Sequence, residues 1–333
     1  MRKRSIWAWA VAIICFIVLM IVTPSIPQSQ DYHNFADQRY FLGMPNMLNV
    51  VSNFPFLVIG IIGLIFCYHG NYFQFSLQGE LYGWTCFFIG VAAVAFGSSY
   101  YHLNPNDATL VWDRLPMTIA FTSIIAIFII ERIDEKKGTA SIIPLVLAGV
   151  ISILYWRQAQ YFLYLYHLTM IYLSALLIYN KLFFALWCRF FDDLRPYALV
   201  QFLPCIAIPL MAILMPPMYT HSTYWLWAAG ETHDLAAWLT SGLGFYLLAK
   251  VEEAEDKPIY RLTHQVVSGH TIKHLFAAMV PVFLTLMLAK RSIAPERQSL
   301  LKTWKISWIH YKESRVEVKS SNYSQIDASI GEP

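Results

Sequence analysis

Charge is what this chain has least of. Only 14% of its 333 residues are Asp, Glu, Lys or Arg, against about 25% in a soluble domain. So few charges cannot coat a water-exposed globule of this length. The formal net charge is +3 with histidine neutral. The basic residues lie mainly at the two ends of the chain, which fits membrane orientation and excludes a basic face for nucleic acid. Cysteine is sparse too. Cys15, Cys67, Cys86, Cys188 and Cys205 are scattered through apolar segments without a Cys-x-x-Cys pair, so they read as free, buried thiols. There are no repeats, and the one low-complexity stretch is the polar tail from about Glu313, which reads as disordered.

What the chain has instead is apolar surface. Hydrophobic residues make up 57% of it and the mean hydropathy is +0.47. The apolar runs are too long for core strands, so the expected fold is an all-α polytopic membrane protein. The runs are Ile6–Val22, Asn49–Tyr68, Leu81–Tyr101, Leu110–Ile130, Ser141–Trp156, Tyr161–Tyr179, Tyr197–Met215, Tyr224–Val251 and Ser268–Leu288. The first follows Arg2-Lys3-Arg4 and is long for a cleaved leader, so residues 1–26 are expected to form a signal-anchor with its basic end in the cytosol. The main body is expected over 27–290. A basic, partly disordered cytosolic tail follows over 291–333, carrying Arg291, Arg297, Lys302 and Lys305. The loop around Lys136-Lys137 is expected on the cytosolic side as well.

Two cytosolic ends require an even number of crossings, and there are nine runs. One must therefore fail to cross. Tyr161–Tyr179 is the weakest, because only Arg157-Gln158-Ala159-Gln160 separates it from Trp156, and 158–195 is expected to be a non-spanning insertion. Tyr224–Val251, interrupted by Glu231, His233 and Asp234, is the alternative.

Ionisable groups inside spans are costly and are functional candidates by default. His270 and His274 are four apart at the entrance of the last run, so they share a helix face. Ser98 and His102 are four apart at the exit of another. A His-x3-His pair with a third, remote His is a ligand set for zinc with one position left open. A single such histidine would pass as a polar cap at the interface; three on the same expected side are harder to dismiss. Neutral imidazoles leave Zn²⁺ its full charge, which lowers the pKa of a bound water to about 7. Asp113 lies eleven residues after His102, across a short loop, and can serve as general base. Ser98 can donate a hydrogen bond to a carbonyl oxygen or to Asp113. The remaining histidines, His33, His69, His167, His221, His264 and His310, read as structural.

These residues resemble a known family. Ser98-x3-His102, Asp113-x-Leu115-Pro116-Met117 and His270-x3-His274 are similar to the pattern of the alkaline ceramidases, a group that extends to progestin/adiponectin-type receptors and to lipid-remodelling proteins. Asn49-Val50-Val51-Ser52-Asn53-Phe54-Pro55-Phe56 also resembles the start of the family's first core span. The match runs in patches from about Asp37 to Leu288. The resemblance implies seven core transmembrane helices, a Zn²⁺ site formed by His102, His270 and His274, and catalytic roles for Ser98 and Asp113. It also implies hydrolysis of the amide of a ceramide-like sphingolipid taken from the bilayer, giving a long-chain base and a fatty acid. A Ca²⁺ site at Asp31, Asp37 and Asn46 is implied by the same comparison.

The chain departs from the family at Arg114, where the family has Glu, and at Asn46, where an acid is expected. Glu231-Thr232-His233-Asp234-Leu235-Ala236-Ala237 echoes the paired histidines but has Ala237 at the second place, so His270 and His274 are preferred. A lipid receptor without turnover and a lipid esterase or remodelling hydrolase remain open alternatives. The expected home is the endoplasmic reticulum, Golgi or plasma membrane, with the site on the lumenal or extracellular side.

Overall fold

The computed structural model describes residues 14–70, 72–172, 193–216, 218–219 and 242–293, with side chains left out at 158–172, 212–213 and 242–243. The start of the signal-anchor run, most of the 158–195 insertion, His233 with its surroundings, Cys188 and the basic tail from 294 lie outside the described residues.

Among the described residues the protein is helical and has no strand. After a helical stretch at 14–22 and a 3-10 turn at Gln30–His33 come α1 (Met47–Val51), α2 (Phe54–Tyr68), α3 (Gln78–Leu103), α4 (Asp107–Arg132) and α5 (Glu135–Tyr172). They are followed by α6 (Arg195–Leu214), α7 (Gly242–Ala254), α8 (Asp256–Leu262) and α9 (Gly269–Lys290). Among the described residues, five segments are long and apolar enough to cross a membrane: Met47–Tyr68, Gln78–Leu103, Asp107–Arg132, Glu135–Arg157 and Gly269–Lys290. Large exposed apolar side chains stand on them, among them Ile61, Phe96 and Ile151. The chain is a membrane-embedded helical protein.

Arg157-Gln158-Ala159-Gln160 does not end the helix: α5 runs unbroken from Glu135 to Tyr172. Its 38 residues rise about 57 Å, nearly twice the ~30 Å hydrocarbon core, so the helix outlasts a single crossing. No proline or glycine stands in the link to stop the turn, and a run of polar residues does not by itself end a helix.

Local chemistry sets the register of the helices that carry the site. Asn106 caps α4, its side chain accepting from the backbone N–H groups of Ala108 and Thr109, while the Thr109 hydroxyl accepts from the Asn106 N–H. The turn between α3 and α4 is therefore only three residues long, and it fixes His102 near the start of α4. Deeper in, a Cβ on Gly97 would collide with the Trp112 carbonyl, a group to which Pro116 has no N–H to donate. This close approach of α3 and α4 sets the neighbouring Ser98 and Asp113 side by side.

At the other end of the bundle, buried Arg291 donates to Glu80 (3.1 Å) and Glu131 (3.2 Å), tying the end of α9 to α3 and α4. Tyr219 donates to the same Glu80 at 2.8 Å.

Candidate metal centre

His102 ends α3, while His270 and His274 occupy the first two turns of α9. Ser268 caps α9 by accepting from the Thr271 N–H at 3.1 Å, and Asp256 accepts from the His270 N–H at 2.7 Å. Asn49, which accepts from Thr271, and Asn46, which donates to the His102 carbonyl, hold the entrance of α9 near the exit of α3, although 168 residues separate His102 from His270.

The three imidazoles meet. One ring nitrogen from each lies within 4.8 Å of the others, and all three residues are buried. The Nε2 atoms of His102 and His274 are 3.3 Å apart, and each pair of ring centroids is 4.9 Å apart. Nitrogens bound tetrahedrally to zinc at about 2.0–2.1 Å stand roughly 3.3 Å apart, so the donor set fits such an ion. The described residues hold no other group of three or more His, Cys, Asp or Glu side chains that could do so.

A polar segment below the rings orients them. The Ser52 Oγ lies 2.7 Å from His274 Nδ1 and donates to the Asn49 carbonyl at 3.1 Å. With its own proton committed, Ser52 accepts from His274 Nδ1–H, which leaves His274 Nε2 free to bind a metal. The Asn49 Oδ1 accepts from Thr271 at 2.7 Å, and Asn53 donates to the Asn49 carbonyl at 2.8 Å. Phe35 covers the cluster from above, its ring 4.5 Å from that of His270 and 4.8 Å from that of His102.

Ser98 and Asp113 are both buried, with the Ser98 hydroxyl as a hydrogen-bond partner of the Asp113 carboxylate. Together with His274 they line a cavity of about 410 Å³, a volume suited to a small-molecule ligand. Elsewhere its wall is largely apolar, with Phe56, Phe87, Val91, Met117 and Val280 among the lining side chains. It could hold the chain of a lipid.

Of the three residues expected to bind calcium, Asn46 and Asp37 have side-chain partners. The Asn46 amide donates to the His102 carbonyl at 2.9 Å, Asp37 is engaged by Arg39, and Asp31 is exposed. His33 bridges Tyr101 and Asp107, at 2.9 Å to each, and buttresses the α3–α4 turn. His69 and His264 stand apart from the histidine cluster.

Sequence reasoning missed Lys273 and Glu253. Lys273 lies one turn after His270, with its Nζ 3.4 Å from His270 Nε2, and forms an ion pair with Glu253 at 2.9 Å. Glu253 also receives Lys250 and the Tyr32 hydroxyl, each at 2.9 Å. The available signal was a lysine in the first turns of a helix. There the macrodipole disfavours a cation, and a buried lysine needs an anionic partner.

Comparison with protein-family models and with curated proteins finds no match for this chain.

Proposed function

We propose that the protein is a membrane-embedded, zinc-dependent hydrolase that cleaves the amide bond of a ceramide-like lipid. One observation carries this reading: three buried imidazoles converge at one end of the bundle, beside a largely apolar cavity into which Ser98 and Asp113 also face. Zn²⁺ bound by His102, His270 and His274 would polarise a carbonyl and lower the pKa of a water molecule. Ser52 keeps His274 in the tautomer that ligates. Asp113 accepts a proton from the attacking water and returns it to the leaving amine nitrogen. Ser98 donates to the carbonyl oxygen or holds the Asp113 carboxylate in place. The apolar wall takes the acyl chain and keeps bulk water out.

The same reading sets the topology. In it α2, α3, α4, α5, α6, α7 and α9 form a seven-helix core, and the segment leading to α6 returns without crossing. Two facts support this. Trp156 near the middle of α5 and Tyr197 at the start of α6 both stack on Arg114, and the Leu194 N–H donates to the Ile26 carbonyl at 2.9 Å. The helical stretch at 14–22 completes the arrangement as the signal-anchor, and the site then faces the lumen or the cell exterior.

Incubating the purified protein with a membrane lipid extract tests the reading. Equal amounts of free fatty acid and long-chain amine are expected. Fatty acid without amine would make the protein an esterase, and binding without any product would make it a receptor.

A further inference from the structure

The cavity holds a cation that the hydrolytic reading does not use. Arg114, on α4 beside Asp113, is 6% exposed. Its guanidinium is gripped by aromatic rings, 4.6 Å from the centroid of Trp156, 4.8 Å from Tyr197 and 5.5 Å from Tyr32. Stacking on ring faces fixes the plane of the group but satisfies none of its N–H donors. Nη2 donates to the neutral Gln28 side chain at 2.7 Å, while Nη1 is buried with no hydrogen-bond partner among the described residues. A buried charged donor without a partner is costly, and arginine is over-represented where carboxylates and phosphates are recognised.

The described surroundings supply no hydrogen-bonded counter-ion, and the Asp113 charge reaches Arg114 only through space. Of the charged side chains lining the cavity, Lys250 and Lys273 are both engaged by Glu253, and the Asp113 carboxylate faces Ser98. Neither carboxylate hydrogen-bonds to Arg114 among the described residues. The lining carries three cations, Arg114, Lys250 and Lys273, against two carboxylates, Asp113 and Glu253, before any metal is counted. Tyr197 is buried and lines the same wall.

We propose that Arg114, with the Tyr197 hydroxyl, is a recognition subsite for an oxyanion, a phosphate ester or a carboxylate, borne by the lipid that occupies the cavity. The inference rests on the hydrolase reading for the identity of the lipid's reacting bond, but the subsite itself does not. The anion replaces the missing partner of Nη1. The aromatic cage holds the guanidinium ready, so little side-chain freedom is lost on binding. Because Arg114 adjoins Asp113, the bound anion would sit close to the reacting carbonyl, which makes this subsite a determinant of head-group choice.

Equilibrium binding to the full chain, purified in neutral detergent and stripped of metal by a chelator, tests the proposal apart from catalysis. The probes are a monoacylglycerol phosphate, the matching neutral monoacylglycerol and inorganic phosphate. The phosphate lipid is expected to bind about tenfold or more tightly than the neutral one. Arg114→Gln should abolish that difference and leave the neutral lipid's affinity unchanged, which also reports that the variant is folded. Should Arg114→Gln fail to fold, Arg114→Lys and Tyr197→Phe carry the test. Both keep an element of the cage and should reduce the preference several-fold.

Equal affinity for the two lipids, or a preference that survives Arg114→Gln, overturns the proposal. Inorganic phosphate binding as tightly as the phosphate lipid overturns the assignment to a lipid. Hydrolysis that proceeds equally well on anionic and neutral lipid would leave the hydrolase reading standing and sink this one. An Arg114-dependent preference in a protein that hydrolyses nothing would do the reverse.

Discussion

Ser52 Oγ sits 2.7 Å from Nδ1 of His274, although 222 residues separate the two in the chain. The contact fixes which nitrogen of His274 faces its neighbours. It also explains why a serine lies between two asparagines at the start of an otherwise apolar helix. Asn49 ties the segment to α9 through Thr271, and Asn46 ties it to the end of α3 through the His102 carbonyl. One short polar stretch therefore registers both ligand-bearing helices.

Ser52→Ala removes the acceptor for His274 Nδ1–H while leaving the fold's apolar contacts in place. Loss of such an outer hydrogen bond typically costs about 10–100-fold in metal affinity. Competition against a chelator of known strength should show that weakening. An unchanged affinity would mean that His274 needs no orienting partner.

Asp113→Asn keeps the size and polarity of the side chain but cannot take up a proton. The variant should retain its metal and lose about 10²–10⁴ in turnover. Near-normal turnover would remove Asp113 from the proton path, and loss of metal would place it among the ligands.

The loop that carries Phe35 to the histidines is pinned at Asp37. Burial acts to raise the Asp37 pKa, but the hydrogen bonds and charge of Arg39, at 2.7 and 2.8 Å, outweigh it and leave the pKa below the usual carboxylate value. Arg39 donates in turn to the Val266 carbonyl at 2.7 Å, just before α9. A depressed folded-state pKa contributes stability above the unfolded value of about 3.9, and that contribution is lost as pH falls through the folded value. Proteolysis of the loop should thus stay slow and flat from neutral pH down to about pH 4, then accelerate below it. In Asp37→Asn the acid-dependent step should vanish and cleavage should be faster at neutral pH. A step that persists in Asp37→Asn would assign the titration elsewhere.

The proposed topology returns the chain to one side between α5 and α6. Single cysteines placed at Arg157 and at Asp192 should then react with an impermeant reagent from the same side of a sealed vesicle. Labelling from opposite sides would add a crossing between them and break the seven-helix arrangement.

Much of this is legible in the sequence, for a physical reason. Hydrocarbon punishes ionisable groups so strongly that His102, Asp113, His270 and His274 stand out against the apolar runs around them. The i, i+4 spacing of His270 and His274 is by itself enough to put them on one helix face. What stays hidden depends on partners distant in sequence. Nothing local reveals that Glu253 answers Lys273, that Ser52 meets His274, or that Trp156 and Tyr197 enclose Arg114. The continuity of α5 through Arg157–Gln160 is hidden because polar residues suggest a turn, although none of these stops a helix. Nor does the sequence reveal that the Asn46 amide meets the His102 carbonyl.

Elemental analysis of the purified protein and two variants tests the account most directly. About one zinc ion per chain is expected, removable by chelation, with His270→Ala losing the metal and His233→Ala retaining it. Active protein free of transition metal would contradict the account, as would a His233→Ala variant that loses the ion while His270→Ala keeps it.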